Sequence, residues 1–414
     1  MGGPLWRNLD FVKLWVGQSV SVLGSQVSQL ALPTVAILLL HATPFQVGVL
    51  GALEFLAFPV LGLVAGVYAD RIRRRRLMIA CDLVRLLVLA SVPAVWAAGM
   101  LRIEQLYFVA LVMGVCTVFF DVSYQSYLPS LVLRRDLVDG NSKLQTTRSV
   151  AEVSGPAVAG FLIQIVGAAQ AVLVDALSYA VSIGSLLVIR RPEPEPGAGK
   201  VRTGFWAELR EGLDAVFGNQ TLWKIAGSSA TSNLGTNILR AVLLIFAYRM
   251  LHLTPAIVGV AFAIGSIGGV LGALTASPLT RRVGLGLTLF LSVTLAGAFN
   301  LLIPLSANGV TVVLLAAGVF GYSLGGAVYN IGQVSLRQSM IPDRLQGRAN
   351  ATIRTVIWGT IPIGTFLGGI LGSTIGIEPT LWIGAVVATL AGLWILVGPV
   401  RLAAQPEIAP DSVD

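Results

Sequence analysis

Glu54, Asp82, Arg85, Asp121, Glu152, Asp175 and Arg240 are ionisable residues set in apolar surroundings. A charge at membrane depth is costly, so each needs either a partner or a task. The task a carboxylate can perform there is to carry a proton, because burial and an approaching guanidinium alter how tightly it holds one. Asp121 or Glu54, approached or abandoned by Arg240, would supply that swing, and these three residues are the candidates for proton coupling. A permanent salt bridge joining two parts of the chain is the structural alternative. Asp82 and Arg85 stand three apart on one helical face and are expected to satisfy each other. Asp175, in VDALSYAVS, is expected to make a helix-packing hydrogen bond.

Other chemistry is poorly represented. His41 and His252 are too few and too far apart in sequence for a metal site, and no nucleophile triad or ligand cluster accompanies them. Cys81 and Cys116 fall within apolar runs and read as small buried hydrophobes, not as a disulfide. GSIGGVLG has neither a strand before it nor a lysine after it, so it predicts no nucleotide site. It and IGTFLGGILG read instead as faces on which helices pack. An enzyme is the weakest reading of this chain.

The elements that hold these residues are long and greasy. Only 12% of the 414 residues are charged, 55% are hydrophobic, and mean hydropathy is +0.81. A soluble domain would carry roughly 25% charged residues. About 20 apolar residues cross the hydrocarbon, and by that ruler twelve spans are expected near 14–40, 45–69, 77–98, 104–130, 143–165, 168–189, 221–248, 256–279, 284–305, 309–335, 350–374 and 378–400. The first is too long for the core of a cleaved signal and is expected to remain as a span. Trp15, Trp223, Trp358 and Trp382, near span ends, are expected to anchor at the interface.

The net charge of +8 reports topology, not nucleic acid. Arg71, Arg73 to Arg76, Arg134, Arg135, Arg190, Arg191, Arg281, Arg282, Arg344 and Arg348 fall in one set of loops, which places that set and both termini in the cytoplasm. The longest loop divides six spans from six. This predicts an N-terminal bundle over 1–190, a cytoplasmic linker over 191–220 and a C-terminal bundle over 221–414. Within the linker Phe205, Trp206, Leu209, Leu213, Val216 and Phe217 share one helical face, as in a helix lying on the membrane surface. The segments beginning at Ser130 and Ser339 align without a gap, pairing Arg135 with Arg344, Asn141 with Asn350, Gly155 with Gly364 and Gly160 with Gly369. Parallel repeats of six spans are one architecture of secondary transporters.

GVYADRIRRRRL at Gly66 to Leu77 then acquires a meaning. Together with the twelve spans it resembles the signature of the major facilitator superfamily between spans two and three. Gly66, Asp70, Arg71, Arg74 and Arg75 stand at the matching positions, and Arg73 replaces the usual glycine. FVKLWVGQSVSVLGSQVSQLALP, FFDVSYQSYLPSLV, VDALSYAVS and FWAELREGLDAVF resemble the branch holding macrolide-efflux proteins and the enterobactin exporter. The resemblance implies an all-α fold of two six-helix bundles and export of small amphipathic compounds by proton antiport. It implies no cofactor beyond the proton gradient, and a monomer in the cytoplasmic membrane with substrate, protons and lipid as its partners. Gly66, Asp70 and the arginines become a candidate conformational latch. Spans one, four, seven and ten would line the cavity, with Gln18, Ser25, Gln29, Tyr124, Asn233, Asn237, Tyr329, Asn330 and Gln333 facing the substrate. A proton-independent uniporter or importer, or a membrane sensor without transport, is the alternative.

Overall fold

In the bilayer core a backbone amide finds no water, so only structures that pair their own backbone groups can cross it. The computed structural model answers with helix throughout its described part. It describes residues 4–191, 193, 213–214, 216–308, 311–341, 343–397 and 400, and the backbone alone of 63–64, 66–71, 134, 308 and 343–351. The main helices are α1 (Leu9–Thr34), α2 (Pro44–Arg71), α3 (Arg74–Ala97), α4 (Ile103–Leu131), α5 (Leu137–Val166) and α6 (Ala168–Val188). They continue as α7 (Gln220–Ile245), α8 (Pro255–Val283), α9 (Leu285–Phe299, extended by Leu302–Leu305), α10 (Thr311–Met340), α11 (Asp343–Thr374) and α12 (Ile377–Leu390, extended by Gly392–Leu396). Among the described residues, twelve spans are long and apolar enough to cross a membrane. Of the linker helix expected over 205–217, residues 205–212 lie outside the described residues.

Two helix ends share one local design. α1 and α7 each pass into a π turn, Val35–Leu39 and Phe246–Met250, and each then reaches a histidine with positive φ, 50° at His41 and 52° at His252. A left-handed residue is the common way to stop a helix. Both histidines are followed by x-Thr-Pro. At α2 this builds a capping box, with Thr43 N donating to Gln46 Oε1 (2.8 Å) and Gln46 N donating to Thr43 Oγ1 (3.3 Å). Proline then occupies the first helical position, where no amide hydrogen is missed.

The chain divides into two compact units. The first comprises residues 1–200, 240–263 and 365–377; the second comprises 201–239, 264–364 and 378–414. Boundaries therefore fall inside α7 between Leu239 and Arg240, inside α8 between Ala263 and Ile264, and inside α11 between Gly364 and Thr365.

In the first unit α1 and α6 lie against each other along a seam of small residues. A Cβ at Gly17 would strike the Ser185 side chain, and one at Gly24 would lie 2.6 Å from Ser178 Cβ and 2.8 Å from Asp175 Oδ1. Without apolar solvent contrast between lipid and side chain, such close approach is what binds membrane helices. Asp175 accepts from Ser178 Oγ at 3.1 Å, a bond within α6 itself. Behind the seam, Arg85 donates to Asp82 Oδ1 at 2.6 Å. Its guanidinium is held between the rings of Phe120 and Tyr179, 4.4 and 4.5 Å from their centroids. Asp82 is 0% and Arg85 5% exposed, so each neutralises a charge that water cannot reach. The free thiols Cys81 and Cys116 are buried beside them.

The arginine-rich end of this unit is stitched through helix termini. Glu193 accepts from the first amides of α3, Arg74 N (2.6 Å) and Arg75 N (3.2 Å), where a carboxylate complements the helix dipole. The same two arginines reach carbonyls of other helices: Arg74 Nη1 donates to Ser126 O in α4 (3.1 Å) and Arg75 Nη2 to Leu187 O at the end of α6 (2.8 Å). Elsewhere in the unit, Thr34 Oγ1 and Tyr248 OH are 3.0 Å apart, and Arg249 donates to Ile37 O at 3.1 Å. Gly48 meets Gly369 so closely that a Cβ on the former would lie 2.6 Å from the latter's Cα. This is the packing role expected of the IGTFLGGILG stretch.

In the second unit, Gly268 and Gly272 of α8 rest on the backbone of α10 at Phe320 and Leu324. Gly235 of α7 crosses α12 at Gly384 and Ala388. Ser228 Oγ donates to Ala391 O (3.0 Å) and Trp394 Nε1 to Thr231 Oγ1 (3.0 Å).

Two outcomes follow. Asp82→Ala, which leaves Arg85 buried without its partner, should cost about 3–5 kcal/mol, and Asp82→Leu with Arg85→Leu should recover most of the loss; thermal unfolding of the purified protein measures both. Gly24→Ala should lower the unfolding temperature, whereas Gly184→Ala, whose new methyl meets nothing within 4 Å, should leave it unchanged or raise it.

Candidate functional site

A cavity of about 410 Å³ lies within the second unit. Ser229, Ser232 and Asn233 reach it from α7. Tyr322, Ser323, Gly326, Ala327, Tyr329, Asn330 and Gln333 come from α10, Val293 and Ala296 from α9, and Ile357 from α11. Its volume falls in the range of small-molecule sites, roughly 300–1,000 Å³. Eight of these thirteen side chains are polar and, tyrosine phenols aside, none is ionisable.

The polar groups are partly spent on one another. Tyr329 OH lies 3.1 Å from Ser229 Oγ and donates to Ile225 O at 3.3 Å, which fixes the ring. Asn233 Nδ2 donates to Ser229 O (3.0 Å), one turn back in its own helix, and Asn237 Nδ2 donates to Asn233 O (2.8 Å). Gln333 Nε2 donates to Asn330 Oδ1 at 3.0 Å. Gln333 is 4% exposed, yet its Oε1 is buried without a hydrogen-bond partner among the described residues. An acceptor in that state is ready for a donor from a ligand.

Four residues chosen from the sequence, Asn233, Tyr329, Asn330 and Gln333, meet in this cavity; Asn237, also in the second unit, is buried one turn away. Ser232, Tyr322, Ser323 and Ile357 were not foreseen. The signal for the α10 members was present: Tyr322, Gly326, Tyr329 and Gln333 recur at intervals of four, three and four, one face of a helix.

The first unit disposes its candidates differently. Ser25 Oγ lies 3.0 Å from Tyr179 OH and so joins the α1–α6 seam. Gln18 is buried on the same helix with Nε2 unpartnered among the described residues, and Gln29 is exposed. Tyr124 stacks on Phe120 at 6.2 Å, directly beyond the ring that covers Arg85. Asp121 is partly buried on α4 and Arg240 is exposed on α7, and both engage neighbouring groups. Glu54 is partly buried on α2, where its carbonyl is pressed on Gly114 of α4. Its carboxylate forms no hydrogen bond or ion pair among the described residues. Of the candidate latch, Arg74 and Arg75 are the helix-end contacts given above. Gly66, Asp70 and Arg71 lie on the last turns of α2, and their side chains are outside the described residues. Trp15, expected as an anchor, donates from Nε1 to Thr147 Oγ1 at 3.0 Å. Among the described residues no group of three His, Cys, Asp or Glu could hold a metal ion.

Known proteins share this arrangement. Macrolide efflux protein A of Streptococcus pyogenes is 24% identical over 383 residues, 90% of this chain and 91% of that protein. Multidrug efflux pump Tap of Mycolicibacterium fortuitum is 25% identical over 78% of this chain and 79% of its own. The crystal structure of a bacterial homologue of the iron transporter ferroportin, in its inward-facing state, superposes with a TM-score of 0.78 at 18% identity, covering 95% of this chain and 99% of that one. The nucleoside transporter NupG superposes with a TM-score of 0.72 at 14% identity, covering 94% and 98%. The sequence matches the Major Facilitator Superfamily at residues 14–356 and 225–412, so this twelve-helix membrane protein belongs to that family of transporters.

Proposed function

We propose that this chain exports small amphipathic compounds such as drugs, natural products or siderophores from the cytoplasm in exchange for protons, working as a monomer by alternating access. The observation that carries the reading is a division of polar chemistry. A cavity of uncharged hydroxyl and carboxamide groups is built by α7 and α10, while acids at membrane depth belong to the first half of the chain. Substrate and proton then have separate sites, and the exchange couples them through the change of conformation. Glu54, with no ionic partner among the described residues, and Asp121 are the groups that take up and return the proton, with Arg240 as the cation that biases them. Asp82 is unavailable for this because Arg85 already holds it. Efflux in the two named relatives agrees with the outward direction.

Each proton entering yields about 2.3 kcal/mol per 100 mV of membrane potential, enough to drive useful accumulation without a nucleotide or any other cofactor. The arginine-rich loops support an orientation with both termini in the cytoplasm. The candidate latch at Gly66, Asp70 and Arg71 would set which face of the transporter is open.

Proteoliposomes loaded with a panel of amphipathic dyes and antibiotics test this. Flux should follow an imposed pH gradient, and Asp121→Asn or Glu54→Gln should abolish the gradient-driven component while leaving substrate exchange at equal pH. Flux that ignores both the gradient and the substitutions would favour proton-independent uniport.

A further inference from the structure

The cavity of the second unit also says what kind of group it holds. Asn233 and Gln333 each commit an amide nitrogen to a protein acceptor, which leaves their carbonyl oxygens as the unspent groups. For Gln333 that oxygen is buried and unpaired among the described residues. These acceptors take a donor from a ligand, while the hydroxyls of Ser232 and Ser323 and the amide nitrogen of Asn330 can donate in return, a set that suits a group able to do both. A donor arrives either as a neutral hydroxyl or amide, or as an ammonium. Among the described residues no carboxylate lines the cavity to offset an ammonium's charge. The one charged residue of α10 is Arg337, a turn beyond Gln333 on the same face, and it too is partly buried, with Nε unpartnered among the described residues. α9 carries no charged residue, and α7 contributes only the cations Lys224 and Arg240. A desolvated cation would meet amide dipoles and like charge, whereas a neutral polyol would meet acceptors at no Coulombic cost.

We propose that this cavity binds an uncharged, hydroxyl-rich group of the substrate, so that neutral glycosylated or polyhydroxylated amphiphiles are its ligands and lipophilic cations are not. The inference rests on the transporter reading above and names the substrate class of the same site. Its volume of about 410 Å³ suits one or two sugar-sized rings. Gln333 Oε1 and Asn233 Oδ1 accept from the ligand's hydroxyls, and Tyr329, pinned by Ser229 and Ile225, shapes the wall between α7 and α10.

Equilibrium binding to the purified full chain in lipid nanodiscs tests it, with no gradient present. The probes are 4-methylumbelliferyl cellobioside, a neutral glycoside, and ethidium, a cation of comparable girth. The glycoside should bind more tightly than ethidium to the unaltered chain. Gln333→Leu and Asn233→Leu should each weaken the glycoside by about ten-fold, the scale of one lost hydrogen bond that leaves its partner unpaired. Gln333→Glu, which keeps the acceptor and adds a negative charge, should improve ethidium relative to the glycoside. Preference of the unaltered chain for ethidium overturns the proposal without any variant having to fold. Glycoside binding that is unmoved by both leucine substitutions overturns it as well. Because binding is read at equilibrium, loss of gradient-driven flux in proteoliposomes would defeat proton antiport and leave this preference standing, and the reverse also holds.

Discussion

Exclusion of water from the hydrocarbon is the constraint from which the rest of this structure follows. It forces each backbone amide into its own helix and removes the contrast between apolar side chain and solvent that packs soluble helices. What remains to bind one helix to another is close approach and a few well-paired polar groups. The chain uses both at the same places: Gly17 and Gly24 admit Ser185 and Ser178 along α1 and α6, and Ser25 of α1 and Tyr179 of α6 are within hydrogen-bond distance of each other. Arg85 behind them is neutralised by Asp82 and covered by two rings, so a full charge rests in the core with its counter-charge in contact.

The same constraint separates structural from functional charge. In the first unit Asp82, Arg85, Arg74 and Arg75 are occupied with partners that close a core or cap a helix. A cation on a terminal carbonyl satisfies acceptors that the helix itself leaves over. Glu54 stands apart because its carboxylate has no such partner among the described residues. The second unit instead gathers hydroxyls and carboxamides into one cavity, with charges kept to its margins. A transporter that exchanges a proton for a larger solute needs that contrast, since a fixed ion pair can respond to neither.

Much of this was legible in the sequence. The twelve spans follow from apolar length, which physics sets directly. The pairing of Asp82 with Arg85 follows from helical spacing and from the cost of leaving either group alone. Asn233, Tyr329, Asn330 and Gln333 were placed together because the resembled fold lines its cavity with spans seven and ten, where uncharged polar residues gather. The direction of a single short side chain was harder. Ser25 shares a helical spacing with Gln18 and Gln29, yet it turns to Tyr179 because α6 lies within reach of its hydroxyl. Ile357 and Ser232 carried no signal, since an apolar or small residue suits lipid, core and cavity alike. The two histidines were read only as unfit for metal; their use as left-handed helix stops depends on backbone angles that composition does not encode.

The central claim is that solute and proton move in opposite directions through one protein. The direct test encloses a pH-sensitive dye in proteoliposomes at equal internal and external pH and imposes a gradient of transported solute alone. The account predicts that protons enter the compartment the solute leaves, in fixed ratio to it, and that Glu54→Gln or Asp121→Asn abolishes the proton signal. Solute that crosses at full rate with no change in internal pH would contradict it.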